Sequence, residues 1–143
     1  MQQKLRLLNL LTNYVFHPRL ATTMNTEITI DATKKKLGRL ASDIAHTLRG
    51  KDTPDFLPNR TTFPRVTIKN ADLLDVDPLR LRKTSFSRYT GYPGGKKDFT
   101  AFEVVGEKGL PELLRRAVWG MLPKNRLRSK MIKNLVIHHG DTK

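Results

Sequence analysis

The stretch EITIDATKKKLGRLASDIAHTLRG, Glu27 to Gly50, decides the fold. Glu27-Ile28-Thr29-Ile30-Asp31 alternates polar and apolar residues, the signature of a half-buried strand. A basic connection, Ala32-Thr33-Lys34-Lys35-Lys36, leads into apolar positions at Leu37, Leu40, Ala41, Ile44, Ala45 and Leu48. That spacing puts one apolar stripe on a helix, and Gly50 is suited to stop it. Downstream, Arg65 to Asn70 alternates again and reads as a second strand. A helix between two strands predicts a right-handed βαβ unit and a parallel sheet.

Working outward, Lys51 to Pro64 carries Pro54, Pro58 and Pro64 and reads as a loop. Asp72 to Pro78 is short and acidic, and Pro78 to Lys97 is acid-free and irregular. A second helix is expected to open at Leu110-Pro111, with Glu112 at its positive end. Leu110, Leu113, Leu114, Ala117, Val118 and Met121 would form its buried stripe. Pro123 should end that helix and begin another, marked by Leu127, Met131 and Leu135, before a last strand at Leu135 to His138.

Charge points to the partner. The chain has 143 residues and a formal net charge of +14. The 28 residues between Glu112 and Asp141 contain no acid, while carrying Arg115, Arg116, Lys124, Arg126, Arg128, Lys130 and Lys133. A one-signed face repels itself unless something anionic lies against it, and nucleic acid is the commonest such partner. Lys34-Lys35-Lys36-Leu37-Gly38-Arg39 brings cations to a helix N-terminus, where free backbone N–H groups and the dipole favour phosphate. In Arg88-Tyr89-Thr90-Gly91-Tyr92-Pro93-Gly94-Gly95-Lys96-Lys97 the glycines permit close backbone approach. Its bases neutralise phosphate, while its tyrosines are equally suited to stack on unpaired bases or to pack on the domain. Lys124, Arg126, Arg128 and Lys130 follow the break at Gly120 to Pro123 and form a third basic surface.

Enzyme chemistry finds no support. With no cysteine there is no thiolate nucleophile or thiolate metal site. The acids are scattered, and Asp72, Asp75 and Asp77 read as a solvated turn. His138 and His139, adjacent on an expected strand, would point to opposite faces and could not share a metal. No catalytic residue, metal site or cofactor is expected. No segment reaches the roughly 18 uninterrupted apolar residues of a membrane span.

Residues 1–23 form an N-terminal extension without acids, carrying Lys4, Arg6 and Arg19. Composition favours a basic arm or a start codon misassigned ahead of Met24 over a targeting segment, since serine is absent and Arg6, Asn9 and Asn13 interrupt the apolar run. An amphipathic membrane anchor in Met1 to Phe16 is spoiled by Leu7 and Leu10 on its polar face. Residues 24–143 would be the binding domain, with +11 of the charge remaining after the three bases are removed from +14.

Five motifs carry a family resemblance. Asp31-Ala32-Thr33, Leu37-Gly38-Arg39-Leu40-Ala41-Ser42, Leu48-Arg49-Gly50-Lys51, Thr90-Gly91-Tyr92-Pro93-Gly94-Gly95 and Gly120-Met121-Leu122-Pro123-Lys124-Asn125-Arg126-Leu127 occur in the order and spacing of one family. Together they resemble the large-subunit ribosomal protein L-thirteen family in its bacterial form, over roughly residues 27 to 140. Tyr89, Trp119 and Arg128 depart from the family's usual histidine, basic residue and glycine.

The resemblance implies a three-layer α/β/α fold on a four-stranded, mostly parallel sheet with basic loop and helix extensions. It implies a non-catalytic constituent of the large ribosomal subunit that acts early in assembly. Its partners would be 23S-type rRNA and neighbouring ribosomal proteins. The chain would be a monomer within a cytoplasmic bacterial ribosome, with an organellar ribosome left open. Charge and resemblance together give the candidate rRNA-binding residues. These are Lys34, Lys35, Lys36, Arg39, Arg49, Lys51, Arg88, Tyr89, Thr90, Gly91, Tyr92, Gly94, Gly95, Lys96, Lys97, Arg115, Arg116, Lys124, Asn125, Arg126, Arg128 and Lys130. The alternatives are a non-ribosomal RNA-binding regulator and, behind it, a basic phosphate-ester enzyme.

Overall fold

A computed structural model describes residues 27–54, 56–59 and 63–140. The expectations for residues 1–23 and the boundary at Met24 lie outside the described residues. Strand β1 spans Glu27–Asp31, helix α1 Leu37–Arg49 and strand β2 Arg65–Lys69. β1 and β2 pair in parallel from Glu27↔Arg65 to Asp31↔Lys69, as the alternation predicts. α1 buries Leu40, Ala41, Ile44, Ala45 and Leu48, and Gly50 closes it in the left-handed region at φ 77°. Only a residue without a Cβ adopts that conformation freely.

Beyond β2, Ala71–Leu73 makes a short 3-10 turn and Pro78–Lys83 a one-and-a-half-turn helix, α2. Asp77 caps α2 by accepting from the Leu79 N–H, and Pro78 takes the first helical position. The acid-free middle then forms a hairpin, β3 (Ser85–Tyr89) against β4 (Lys96–Thr100), paired antiparallel. Helix α3 spans Ala101–Met121. It begins ten residues before the expected start, because Thr100 and Glu103 form a reciprocal capping box. The expected start at Pro111 survives as a break, with Gly109 at φ 79° and ψ 175° between two helical segments. Leu113, Leu114 and Val118 are buried as expected, but Met121 is exposed and Pro111 is buried in its place.

Pro123 ends α3 at Leu122, whose ψ of 147° is extended. It does not begin the next helix. The chain turns through residues 124–127 before α4, Arg128–Lys133, and then enters β5, Leu135–Ile137. β5 pairs parallel with β2, from Val66↔Leu135 to Ile68↔Ile137. The fold is therefore mixed α/β, with a parallel sheet in the order β1-β2-β5. The described residues place three strands in that sheet, where four were expected, and the other two form a separate antiparallel sheet. Central strand β2 buries Val66 and Ile68 among Leu40, Ile44 and Leu48 of α1, Leu114 and Val118 of α3, Met131 and Leu135. The core is aliphatic, as a chain with 7% aromatic residues requires.

Candidate nucleic-acid interface

The lysine loop is held by backbone and by one carboxylate. Asp31, at the end of β1, accepts from the Thr33 N–H at 3.0 Å, the Thr33 hydroxyl at 2.7 Å and the Asn70 amide at 3.2 Å. Those donors, the Thr33 N–H first, hold its pKa down from 3.8 to about 2. Lys34 follows in the left-handed region at φ 55° and donates its N–H to the Leu73 carbonyl at 2.9 Å. The Asp75 N–H donates to the Lys35 carbonyl at 3.0 Å, and Lys36 Nζ lies 3.6 Å from the Asp75 carboxylate. Lys34, Lys35, Lys36 and Arg39 are all exposed, and Lys36 shares its charge with Asp75. At the start of α1, Lys36 makes no side-chain cap and the first turn holds no acid, so the positive helix end is not neutralised locally.

The hairpin carries the glycine-tyrosine loop at its tip. Thr90 and Gly95 close the loop through a 3.3 Å backbone hydrogen bond, and the Gly95 N–H donates to Tyr92 O at 2.9 Å. A Cβ on Gly95 would overlap Thr90 Oγ1 and lie 3.0 Å from the Tyr92 carbonyl, so any larger residue there forces the tip to shift. Tyr89 and Tyr92 are 65% and 74% exposed, which removes packing on the domain as their role. Arg88 stands directly opposite Lys97 across the ladder. Like charges facing each other on one side of a sheet repel, and an anion lying across them would relieve that repulsion. Lys96 instead pairs with Asp98 at 3.2 Å.

The third basic surface lies at the end of α3. Arg128 stacks its guanidinium 4.2 Å from the Trp119 ring centroid. An open concavity of about 550 Å³ is lined by Trp119, Lys124, Asn125, Arg126, Arg128 and Ser129. Lys124, Asn125, Arg126 and Lys130 are exposed and Arg128 is half-buried. Ser42 Oγ, partway along α1, contacts Met121 Sδ at the end of α3 at 3.3 Å. The lysine loop lies beside Leu73 at the C-terminal edge of the parallel sheet, whereas the segment after Pro123 runs through α4 into the start of β5 at the N-terminal edge. The hairpin is tied elsewhere, its base joined through the Ala101 N–H to Thr84 O at 2.8 Å.

Other candidates separate by environment. Arg115 is exposed, but Arg116 donates to Glu112 at 3.1 Å and lies over the Phe86 and Phe99 rings. It serves as an internal brace. Arg49 lies 5.6 Å from the Phe56 ring centroid, and Lys51 is exposed just past the Gly50 cap. Trp119 was not among the expected site residues. Its signal was a lone tryptophan inside an acid-free, basic segment.

The acids are spent on structure. Asp72 faces His139 at 3.2 Å, Asp75 pairs with Lys36, and Asp77 caps α2. His46, on α1, is exposed and meets Asp52 at 2.7 Å. His138 and His139 lie beyond β5, which ends at Ile137, so the expected opposite-face placement on a strand does not apply. No group of three or more potential ligands could hold a metal ion among the described residues. No helix among them is long and apolar enough to cross a membrane.

Comparison with known proteins supplies the context. The sequence pattern described as Ribosomal protein L13 matches residues 25–143. The large ribosomal subunit protein uL13 of Natranaerobius thermophilus is 46% identical over 114 residues, 79% of this chain and 78% of that protein. The protein of the same name from Nitrosomonas europaea is 44% identical over 113 residues, again 79% and 78% of the two chains. That of Citrifermentans bemidjiense is 40% identical over 111 residues, 78% of each.

Proposed function

From the premise that this chain belongs to the ribosomal protein L13 family, we propose that it holds several segments of large-subunit rRNA together through its basic surfaces. The protein is a structural constituent of the large ribosomal subunit and not an enzyme. The family match over residues 25–143 is the observation that carries this reading.

The contacts belong to the proposal. Lys34, Lys35 and Arg39 meet phosphates beside the α1 N-terminus. Arg88, Lys97 and the Gly91–Gly95 tip follow a sugar-phosphate surface while Tyr89 and Tyr92 stack on unpaired bases. Lys124, Arg126 and Lys130 follow a backbone past the end of α3, with Arg115, Arg49 and Lys51 adding charge. Affinity comes mainly from released counterions and specificity from RNA shape. The exposed tyrosines, the Arg88–Lys97 pair and the acid-free run after Glu112 support these assignments.

The same reading makes residues 24–143 the rRNA-binding domain and 1–23 an extension that binding does not need. It extends to a three-layer α/β/α packing, a 23S-type rRNA partner, neighbouring ribosomal proteins and early action in subunit assembly. It places the chain, as a monomer, in a bacterial-type ribosome.

Sedimentation of a lysate through a sucrose gradient after a high-salt wash tests it. The protein should travel with large subunits and their precursors. Recovery at the top of the gradient, with large subunits intact, would make it a soluble nucleic-acid binder instead.

A further inference from the structure

We propose that the concavity at the end of α3 is a nucleobase site, in which one unpaired base of RNA stacks on Trp119 while Lys124 and Arg126 hold its phosphates. This rests on the rRNA-binding reading and names what that surface takes.

Trp119 is the only tryptophan in the chain, and it lies outside the aliphatic core with 41% of its surface exposed. A large part of its aromatic surface therefore faces solvent. The Arg128 guanidinium, 4.2 Å from the ring centroid, fixes the indole as a flat platform. Arg128 Nε is buried without a hydrogen-bond acceptor among the described residues. A buried donor left unpaired is unfavourable, so it is the stack on the indole, and not a hydrogen bond at Nε, that holds Arg128 in place.

The lining decides among ligand classes. Lys124 and Arg126 are exposed cations, Asn125 offers an amide with both donor and acceptor, and no acid occurs between Glu112 and Asp141. An acidic peptide would satisfy the cations but leave the indole unused. A purely apolar partner would use the indole but strand the cations. A nucleotide combines a planar π-face with phosphate oxygens. The base must be unpaired, because a duplex keeps its faces stacked inside. The volume of about 550 Å³ is within the range of small-ligand sites, about 300–1,000 Å³.

Trp119 alone supplies the tryptophan emission, so its fluorescence reports on this site without a label. The full chain should be titrated with a short single-stranded oligoadenylate, with an abasic strand of equal phosphate count, and with an RNA duplex. The oligoadenylate should quench the emission with the midpoint at which labelled RNA binds by anisotropy. The abasic strand and the duplex should bind without comparable quenching.

Trp119→Ala should weaken oligoadenylate binding roughly tenfold and leave duplex binding unchanged. Trp119→Phe, checked by circular dichroism, should keep most of the affinity and guards against a folding defect. Oligoadenylate binding without quenching would overturn the site while large-subunit rRNA still binds. Equal quenching by the abasic strand or by polyglutamate would overturn it in favour of a general anion site. Failure of large-subunit rRNA itself to bind would remove the rRNA reading and this site with it.

Discussion

The Arg116 guanidinium lies 5.1 Å from the centroid of the Phe99 ring, although Phe99 precedes the first residue of α3 and Arg116 sits near its end. A straight helix rising about 1.5 Å per residue would separate those two backbones by roughly 25 Å, beyond the reach of both side chains together. The break at Gly109 therefore turns the second segment of α3 back toward the hairpin. There Arg116 also covers Phe86 at 5.5 Å and pairs with Glu112 at 3.1 Å. One cation fastens the hairpin to the helix.

Arg116→Ala should therefore cost about 1–2 kcal/mol of stability, the value of a partly desolvated cation–π contact and a charged hydrogen bond. Arg115→Ala, on the exposed side, should stay within about 0.5 kcal/mol while weakening RNA binding more. Urea denaturation of both variants, with rRNA binding measured beside it, separates brace from ligand contact. Equal stabilities would refute the brace.

Gly109→Ala should lower stability by about 1–3 kcal/mol, because φ 79° with ψ 175° is a conformation that essentially only glycine adopts. A Cβ there would also meet Pro111 Cδ at 3.4 Å. The same substitution at Gly106, where nothing lies within 4 Å of the added atom, should be neutral or slightly stabilising. Paired thermal melts give the comparison.

Asp31 should titrate near 2 in the folded protein, against 3.8 for an ordinary aspartate, because Thr33 and Asn70 donate to its ionised form. A depressed carboxylate pKa means that the folded state binds its proton less readily than the unfolded chain. Its contribution to stability is complete above 3.8 and is lost as pH falls toward 2. Asp31→Asn should flatten the pH dependence in that window, as denaturation at a series of acidic pH values would read. An NMR titration midpoint near 3.8 would show that the turn is not formed.

Lys124→Ala with Arg126→Ala should lower RNA affinity and reduce the salt slope by about 2, with little loss of stability, since both side chains are exposed. Arg128→Ala belongs to a different class. It removes the Trp119 stack and should lower stability by about 1 kcal/mol. The three cations look alike along the chain, yet only the first two are free surface.

The βαβ core was legible because its signals are short-range. Alternation in β1 and β2, the apolar stripe of α1, the Gly50 cap and the Pro123 stop each act within a few residues. The hairpin was not legible, and its burial explains why. Ser85–Tyr89 and Lys96–Thr100 expose most of their residues, so no apolar alternation marks them as strands. The first segment of α3 escaped for a related reason: Pro111 and Glu112 made a convincing start ten residues downstream of the Thr100–Glu103 capping box.

The sequence by itself determined that this chain has an α/β core built on a parallel strand pair, and that its basic segments lack local acids to neutralise them. Both depend on residue type and near spacing, which a linear chain displays directly. Only the tertiary structure decided which cations are engaged by partners within the domain. Arg116 is engaged by Phe86, Phe99 and Glu112, Arg128 by Trp119, and Lys36 by Asp75. Three of those five partners lie more than a dozen residues away, and a cation's role is set by what folding brings beside it.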